Sequence, residues 1–119
     1  MDNFKGRVFV VFKRKYSRDE ISLGDITINK ASRTVCKNGV PIEMTSKELE
    51  LLTLFLENPG KTLTKEYLFS EIWGGYSESE QQTLTVHIRW LRQKIEDDPT
   101  KPKRIHTVWG VGYKYESIQ

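Results

Sequence analysis

The first part of the chain carries short runs in which apolar and polar residues alternate, the pattern of half-buried β-strands. Turn signals separate these runs at Gly24-Asp25, Asn29-Lys30 and Asn38-Gly39. Asn38-Gly39 is the strongest, because asparagine and glycine both tolerate the positive φ of a tight hairpin. The pattern predicts a small antiparallel sheet whose strands hold Ile21 and Leu23, Ile26 and Ile28, residues 34–36, and Val40 and Ile42.

Two amphipathic helices are predicted after the sheet, each with its own start and stop signals. The first begins at a capping box of Thr45 and Glu48 and ends at Asn58-Pro59-Gly60. The second begins at Thr64, a favourable N-cap residue, and ends at Gly74-Gly75. The residues predicted to face the core are Leu49, Leu51, Leu52, Phe55, Leu56, Leu68, Ile72 and Trp73.

A third helix is predicted to begin at Ser79, which forms another capping box with Gln82, and to run to about residue 97 or 98. Its apolar residues recur at the helical spacing i, i+4, i+7, i+11, so one face is committed to the core. These residues are Leu84, Ile88, Leu91 and Ile95.

The C-terminal residues predict a β-hairpin. A loop over residues 97–103 precedes two strand-like runs, 105–109 and 111–115, on either side of Gly110. Gly110 and Gly112 permit a tight turn or positive φ there. A short helix, a loop, an amphipathic basic helix and a hairpin follow one another as in a winged helix-turn-helix.

Composition narrows the function classes. At 119 residues the chain has the size of one domain, and no apolar run approaches the roughly 20 residues of a membrane span. A single cysteine, Cys36, allows no internal disulfide and fits a reducing cytoplasm. Cys36, His87 and His106 are spaced unhelpfully for zinc. With no nucleophile motif either, an enzyme is the weakest class and no cofactor is predicted.

Charge and helix geometry together favour a nucleic-acid surface. Residues 81–119 carry seven Lys and Arg against four Asp and Glu. On a helical wheel, Val86, Arg89 and Gln93 lie opposite Leu84. Beside or flanking that face stand Gln82, His87, Trp90, Arg92 and Lys94.

Such a face fits the major groove of DNA, about 12 Å wide, where glutamine can bond base edges and apolar groups can touch thymine methyls. A solvated helix face and a winged-helix module that binds another protein are the alternatives. On the hairpin, Thr107, Trp109, Tyr113 and Lys114 are candidate DNA contacts. At least one of Tyr113 and Tyr115 is predicted to lie in the core, because strand residues two apart share a face.

The segments 85–99, with sequence TVHIRWLRQKIEDDP, and 105–113, with sequence IHTVWGVGY, closely resemble the effector domain of OmpR/PhoB-type response regulators. The resemblance covers about residues 21–116. It implies an α+β winged helix-turn-helix with an N-terminal four-stranded antiparallel sheet, three helices and a C-terminal β-hairpin wing. It also implies that the third helix lies in the major groove of promoter DNA and the wing near the minor groove.

The resemblance further implies roles for individual residues. The residues implied to contact DNA phosphates are Thr83, His87, Arg89, Arg92, Thr107 and Tyr113. Those implied to face the bases are Thr85, Val86 and Trp90. The loop that contacts RNA polymerase or orients the third helix corresponds to Gly75, Tyr76, Ser77, Glu78, Ser79 and Glu80. Further implied partners are a receiver domain and a sensor histidine kinase in a cytoplasmic two-component system, and a second copy bound head to tail on DNA.

Two departures from the family pattern affect single contacts. Trp90 and Trp109 stand where relatives often carry arginine, at a base-facing and a minor-groove position. Trp90 can offer an apolar contact or stack on its helix neighbours. Trp109 can pack against the sheet, which would leave Lys114 or Arg104 to approach the DNA backbone.

Residues 1–20 are too few for a receiver domain. They loosely resemble a receiver's last helix and the linker after it, so the predicted organisation is a linker, receiver remnant or tag over 1–20 and a DNA-binding domain over 21–119. A regulator without a receiver, or an extra N-terminal strand, are the alternatives.

Overall fold

The computed structural model describes residues 19–75 and 81–117. The predicted linker or remnant over 1–20, except Asp19 and Glu20, and the predicted loop residues 76–80 lie outside these ranges. In chain order the elements are β1 (Glu20–Leu23), β2 (Ile26–Asn29), β3 (Thr34–Lys37), β4 (Val40–Ile42), α1 (Ser46–Glu57), β5 (Thr62–Thr64), α2 (Lys65–Trp73), α3 (Gln81–Ile95), β6 (Ile105–Val108) and β7 (Gly112–Tyr115).

The N-terminal sheet is an antiparallel meander in the order β1-β2-β3-β4. Asn38 and Gly39, between β3 and β4, have φ of 53° and 79°, the backbone that their turn signal predicts. Ile26, Ile28 and Val35 are buried. The four-stranded sheet expected from the sequence is confirmed.

Both predicted capping signals of the first two helices are present. Thr45 and Glu48 form the reciprocal capping box at the start of α1. Thr64 accepts the backbone N–H of Tyr67 at the start of α2, which ends at Gly74 in the left-handed conformation. The predicted core leucines of α1 and α2 and Phe55 are buried, with Phe69 added to them.

Helix α3 buries its predicted stripe of Leu84, Ile88, Leu91 and Ile95. The helix ends at Ile95, two or three residues before the expected end. The next residue, Glu96, binds the loop that follows the helix. Its carboxylate accepts hydrogen bonds from the backbone N–H groups of Lys103, Arg104 and Ile105 at 2.8–3.1 Å. The predicted N-cap at Ser79 lies outside the described residues.

Strands β6 and β7 form the predicted hairpin, and β5 adds to it in a three-stranded sheet of order β5-β7-β6. Strand β5 was not predicted, because three residues show no periodicity and Thr64 also carries the helix signal. Gly110 has a φ of 78° at the tip. Gly112 is required for another reason: a Cβ there would lie 1.9 Å from the carbonyl oxygen of Leu63 on β5.

One apolar core joins the two sheets and the three helices. Both Tyr113 and Tyr115 belong to it, which satisfies the expectation that at least one would, and the Tyr115 ring lies 6.3 Å from that of Phe55. Among the described residues no helix is long and apolar enough to cross a membrane.

Candidate nucleic-acid interface

The outward face of α3 carries six of the predicted contact residues. Its exposed members are Gln82, Thr85, Arg89, Trp90 and Gln93, with Val86 half-buried among them. Because the opposite stripe of the helix is buried, this face is fixed toward solvent. It presents amide and guanidinium donors next to the apolar side chains of Val86 and Trp90.

Arg89 is the most accessible cation of that face. Within residues 19–75 and 81–117 no ion pair or hydrogen bond involves its guanidinium, which is exposed. A guanidinium without an internal acceptor can bind a phosphate at no cost of a broken contact. The structure therefore leaves Arg89 available for the predicted role.

Four aromatic rings connect α2 to the outward face of α3. Phe69 stacks on Trp73 at 5.0 Å between ring centroids, Trp73 meets the edge of His87 at 4.9 Å, and His87 lies 5.0 Å from Trp90. The Nδ1 atom of His87 bonds the carbonyl oxygen of Thr83 at 2.8 Å. His87 thus holds Trp90 and keeps only Nε2 for a partner.

Arg92 points to the wing rather than to solvent. Its guanidinium donates to the carbonyl oxygen of Ile105 at 2.9 Å and to the Thr107 hydroxyl at 2.8 Å, and it lies 5.7 Å from the ring of Tyr113. Burial lowers the pKa of Arg92 below its ordinary value, with Tyr113 and Glu96 opposing the shift. The main observed contacts of Arg92 tie α3 to the wing.

Lys94, expected beside the outward face, instead reaches back to α1. Its ammonium lies 2.5 Å from the Glu48 carboxylate, which is buried and also serves the capping box. Burial alone would raise the pKa of Glu48, but the bonds from Lys94 and Thr45 bring it below the ordinary value. The structure therefore separates Lys94 from the other predicted contacts.

The tip of the wing is apolar and exposed. Trp109 has 88% of its surface accessible and Val111 42%. The interpretation that Trp109 packs against the sheet is therefore wrong, since the turn at Gly110 projects it into solvent. Lys114, half-buried on β7, pairs with Glu116 at 3.3 Å.

Arg104 cannot approach a DNA backbone. Its side chain is 2% exposed and donates to both carboxylate oxygens of Asp25, with Glu96 at 3.6 Å. Burial would lower the pKa of Arg104, but the bond and charge of Asp25 raise it above its ordinary value. The suggestion that Arg104 substitutes for Trp109 is wrong because the side chain is enclosed between the N-terminal sheet and the end of α3.

A groove of about 120 Å³ lies where the wing meets α2 and α3. It is lined by Lys65, Thr85, Thr107, Trp109 and Gly112, among others. Sequence reasoning missed Lys65. Its position in the sequence could have identified it. A lysine in the first turn of a helix is unfavourable for the helix dipole, so Lys65 at the start of α2 indicates a role other than helix stability.

The comparisons with known proteins agree with this architecture. A family model described as "Transcriptional regulatory protein, C terminal" matches residues 39–115. The transcriptional regulatory protein YcbL of Bacillus subtilis is 39% identical over 122 residues, which cover 96% of this chain and 54% of YcbL. The regulatory protein VanR of Enterococcus faecium is 42% identical over 92 residues, covering 76% of this chain and 40% of VanR.

Solved structures show the same fold. The response regulator DrrB of Thermotoga maritima, an OmpR/PhoB homologue, has a TM-score of 0.75 and 34% identity over 83% of this chain and 45% of its own. The DNA-binding domain of Klebsiella pneumoniae RstA, solved in complex with the RstA box, has a TM-score of 0.77 and 26% identity over 83% of this chain and 98% of its own.

The chain spans about half the length of the curated relatives it matches. It has the four-stranded N-terminal sheet, the three helices and the C-terminal hairpin of the matching effector domains. The chain therefore belongs to the family of transcriptional regulatory protein C-terminal domains, the winged-helix effector domains of OmpR/PhoB-type response regulators.

Proposed function

We propose that this chain binds duplex promoter DNA in a sequence-specific manner, with α3 in the major groove and the β6–β7 wing near the adjacent minor groove. The outward face of α3 carries this proposal: a buried apolar stripe fixes a helix whose other side offers Arg89, Gln93 and Trp90 to a partner. A protruding helix with these groups has the width and chemistry that the major groove admits.

Roles within the interface follow from what each side chain already contacts. Arg89 has the best access to phosphate, and Lys65 and Thr107 line the groove that would receive the backbone between the two grooves of DNA. Thr85, Val86 and Trp90 face the bases. Arg92, Tyr113 and Lys94 shape the surface through contacts within the protein.

The other partners that we propose are partners of a protein longer than this chain. The regulators that match are about twice as long as this chain. We infer that residues 21–119 form the DNA-binding domain after a linker, and that a receiver domain, phosphorylated by a sensor histidine kinase in the cytoplasm, controls it. The residues from Gly75 to Glu80 would meet RNA polymerase, and two copies would bind DNA head to tail.

The test is selection from a random pool of duplex DNA at several salt concentrations, followed by sequencing of the retained fraction. We expect enrichment of paired half-sites about one helical turn apart and an affinity that falls steeply as salt rises. Salt-sensitive binding without an enriched sequence would contradict sequence-specific recognition. No binding at any salt would redirect the proposal to a protein partner.

A further inference from the structure

The outward face of α3 carries an apolar strip formed by Val86 and by the indole of Trp90, which stands at one side of that face. Val86 and Trp90 are one helical turn apart, so their side chains lie on the same strip of the helix surface. Trp90 is 40% exposed, and the exposed polar residues Arg89 and Gln93 lie on the same side of it as Val86. An apolar strip that stays exposed beside polar residues can contact an apolar group of a partner that the polar residues bind.

The indole is held in place before any partner arrives. His87 lies 5.0 Å from it and is itself fixed by the edge contact with Trp73 and the bond to the Thr83 carbonyl. Trp73 in turn stacks on the buried Phe69. A supported ring loses little conformational freedom on binding, so its contact can discriminate between closely similar partners.

The chemistry of the indole selects among the four base pairs. Its only polar group is one N–H donor, so it cannot form the paired donor contacts by which arginine reads the O6 and N7 acceptors of guanine. On the major-groove edge of the bases the one apolar group is the 5-methyl of thymine. The ring face therefore matches thymine and has little to gain from guanine or cytosine.

We propose that Trp90, with Val86 beside it, reads the 5-methyl groups of one or two thymines in each half-site. This inference rests on the proposed DNA binding. Relative to a protein with arginine at this position, the half-site bound by this chain carries thymine in place of guanine at the base pairs that Trp90 contacts.

The test replaces each thymine of the selected site, one at a time, by deoxyuridine, which lacks only the methyl group. Affinities of the whole chain for these duplexes are measured by fluorescence anisotropy. We expect about a fourfold loss at one or two positions per half-site, as for one buried methyl group. In Trp90→Ala the same substitutions have little further effect, whereas Val40→Ala, which removes an exposed apolar side chain from β4, keeps the fourfold loss.

Each outcome separates the two proposals. Specific binding that is insensitive to deoxyuridine at every thymine would overturn the role of Trp90 and leave DNA recognition intact. A deoxyuridine effect that persists unchanged in Trp90→Ala would equally overturn it. Absence of specific binding by the unmodified chain counts against the proposed function itself.

A second experiment repeats the selection with Trp90→Arg. The preferred base should change from thymine to guanine at the same positions, and an unchanged preference contradicts the inference.

Discussion

Arg89 gives the clearest residue-scale prediction, because it is exposed and has no internal partner in the described part of the chain. Arg89→Ala should weaken binding to all duplexes by about tenfold and reduce the slope of log affinity against log salt by about one, the signature of one lost phosphate contact. Anisotropy titrations at several salt concentrations measure both quantities.

Lys101→Ala is the matched control for Arg89→Ala. It also removes one exposed positive charge, but from the loop after α3 rather than from the outward face. Equal effects of the two variants would show that only net charge matters.

Val86→Ala should instead change the selected sequence more than the nonspecific affinity, since its side chain is apolar.

Gly112 gives a residue-scale prediction about stability. An added methyl group would lie 1.9 Å from the carbonyl oxygen of Leu63, so β5 and β7 would have to separate. Gly112→Ala should lower the free energy of unfolding by about 1–3 kcal/mol, as overpacking does. Urea denaturation measures it. Gly75→Ala, where a Cβ would meet nothing within 4 Å, is the control and should leave stability nearly unchanged.

The sequence predicts which residues are charged and which way they point, but not their partners. The helical wheel places Arg92 at the flank of the outward face, but it does not show that Arg92 turns to acceptors on β6. Lys94 finds Glu48, 46 residues earlier in the chain. Such partners are chosen by how α1, α3 and the wing pack together, and that information is absent from local periodicity. The buried Arg104 was missed for the same reason.

At the scale of elements, Arg92 joins α3 to the wing. Arg92→Lys keeps the charge but cannot hold the Ile105 carbonyl and the Thr107 hydroxyl together, because lysine lacks the planar fork. We expect faster amide hydrogen exchange in β6 and a stability loss of about 1–2 kcal/mol without DNA. Nuclear magnetic resonance of the free protein measures both. Unchanged exchange would instead leave Arg92 as a phosphate contact.

The ion pair between Glu48 of α1 and Lys94 of α3 stabilises the fold in a pH-dependent way. The folded-state pKa of Glu48 lies below its ordinary value, so the ionised form stabilises the fold. That contribution is complete above the ordinary pKa of 4.5 and is lost as pH falls through the lowered value. Glu48→Gln should therefore be less stable than wild type at pH 7, with the gap closing towards pH 3.

Thermal denaturation across this pH range measures the gap. Glu43→Gln, which removes an exposed negative charge near α1, is the control and should follow the wild-type curve. A gap that stays constant with pH would show that the side-chain change acts without the ionised carboxylate.

Elements with strong periodicity or capping signals were predictable from the sequence. The sheet β1 to β4, the starts of α1 and α2 and the buried stripe of α3 are confirmed by the structure. Strand β5 was not, because it exists only through its pairing with β7. The end of α3 was placed too late, because Glu96 leaves the helix to bind backbone N–H groups that the chain reaches seven to nine residues later.

Across the whole molecule, the side chain of Arg104 connects parts that lie far apart in the sequence. From a buried position its guanidinium donates to Asp25, in the turn between β1 and β2 and 79 residues earlier, and lies 3.6 Å from the carboxylate of Glu96, eight residues earlier. Arg104→Ala should lower the free energy of unfolding by about 3–5 kcal/mol, because it leaves the buried Glu96 and the half-buried Asp25 carboxylates without their cation. Lys103→Ala, an exposed neighbour, is the control in urea denaturation. Equal losses would show that the network does not hold the sheet to α3.

The contact between Arg92 and the wing has a consequence for the DNA. Because this contact fixes the position of the β6–β7 hairpin relative to α3, the distance between the two DNA-binding elements is set before DNA binds. The double helix must then adjust its twist and groove width to match that distance. The energy of that adjustment depends on the stiffness of base steps that no side chain touches. Supercoiling, which changes twist, would therefore shift occupancy of a site, making such a regulator responsive to the mechanical state of the chromosome as well as to its sequence.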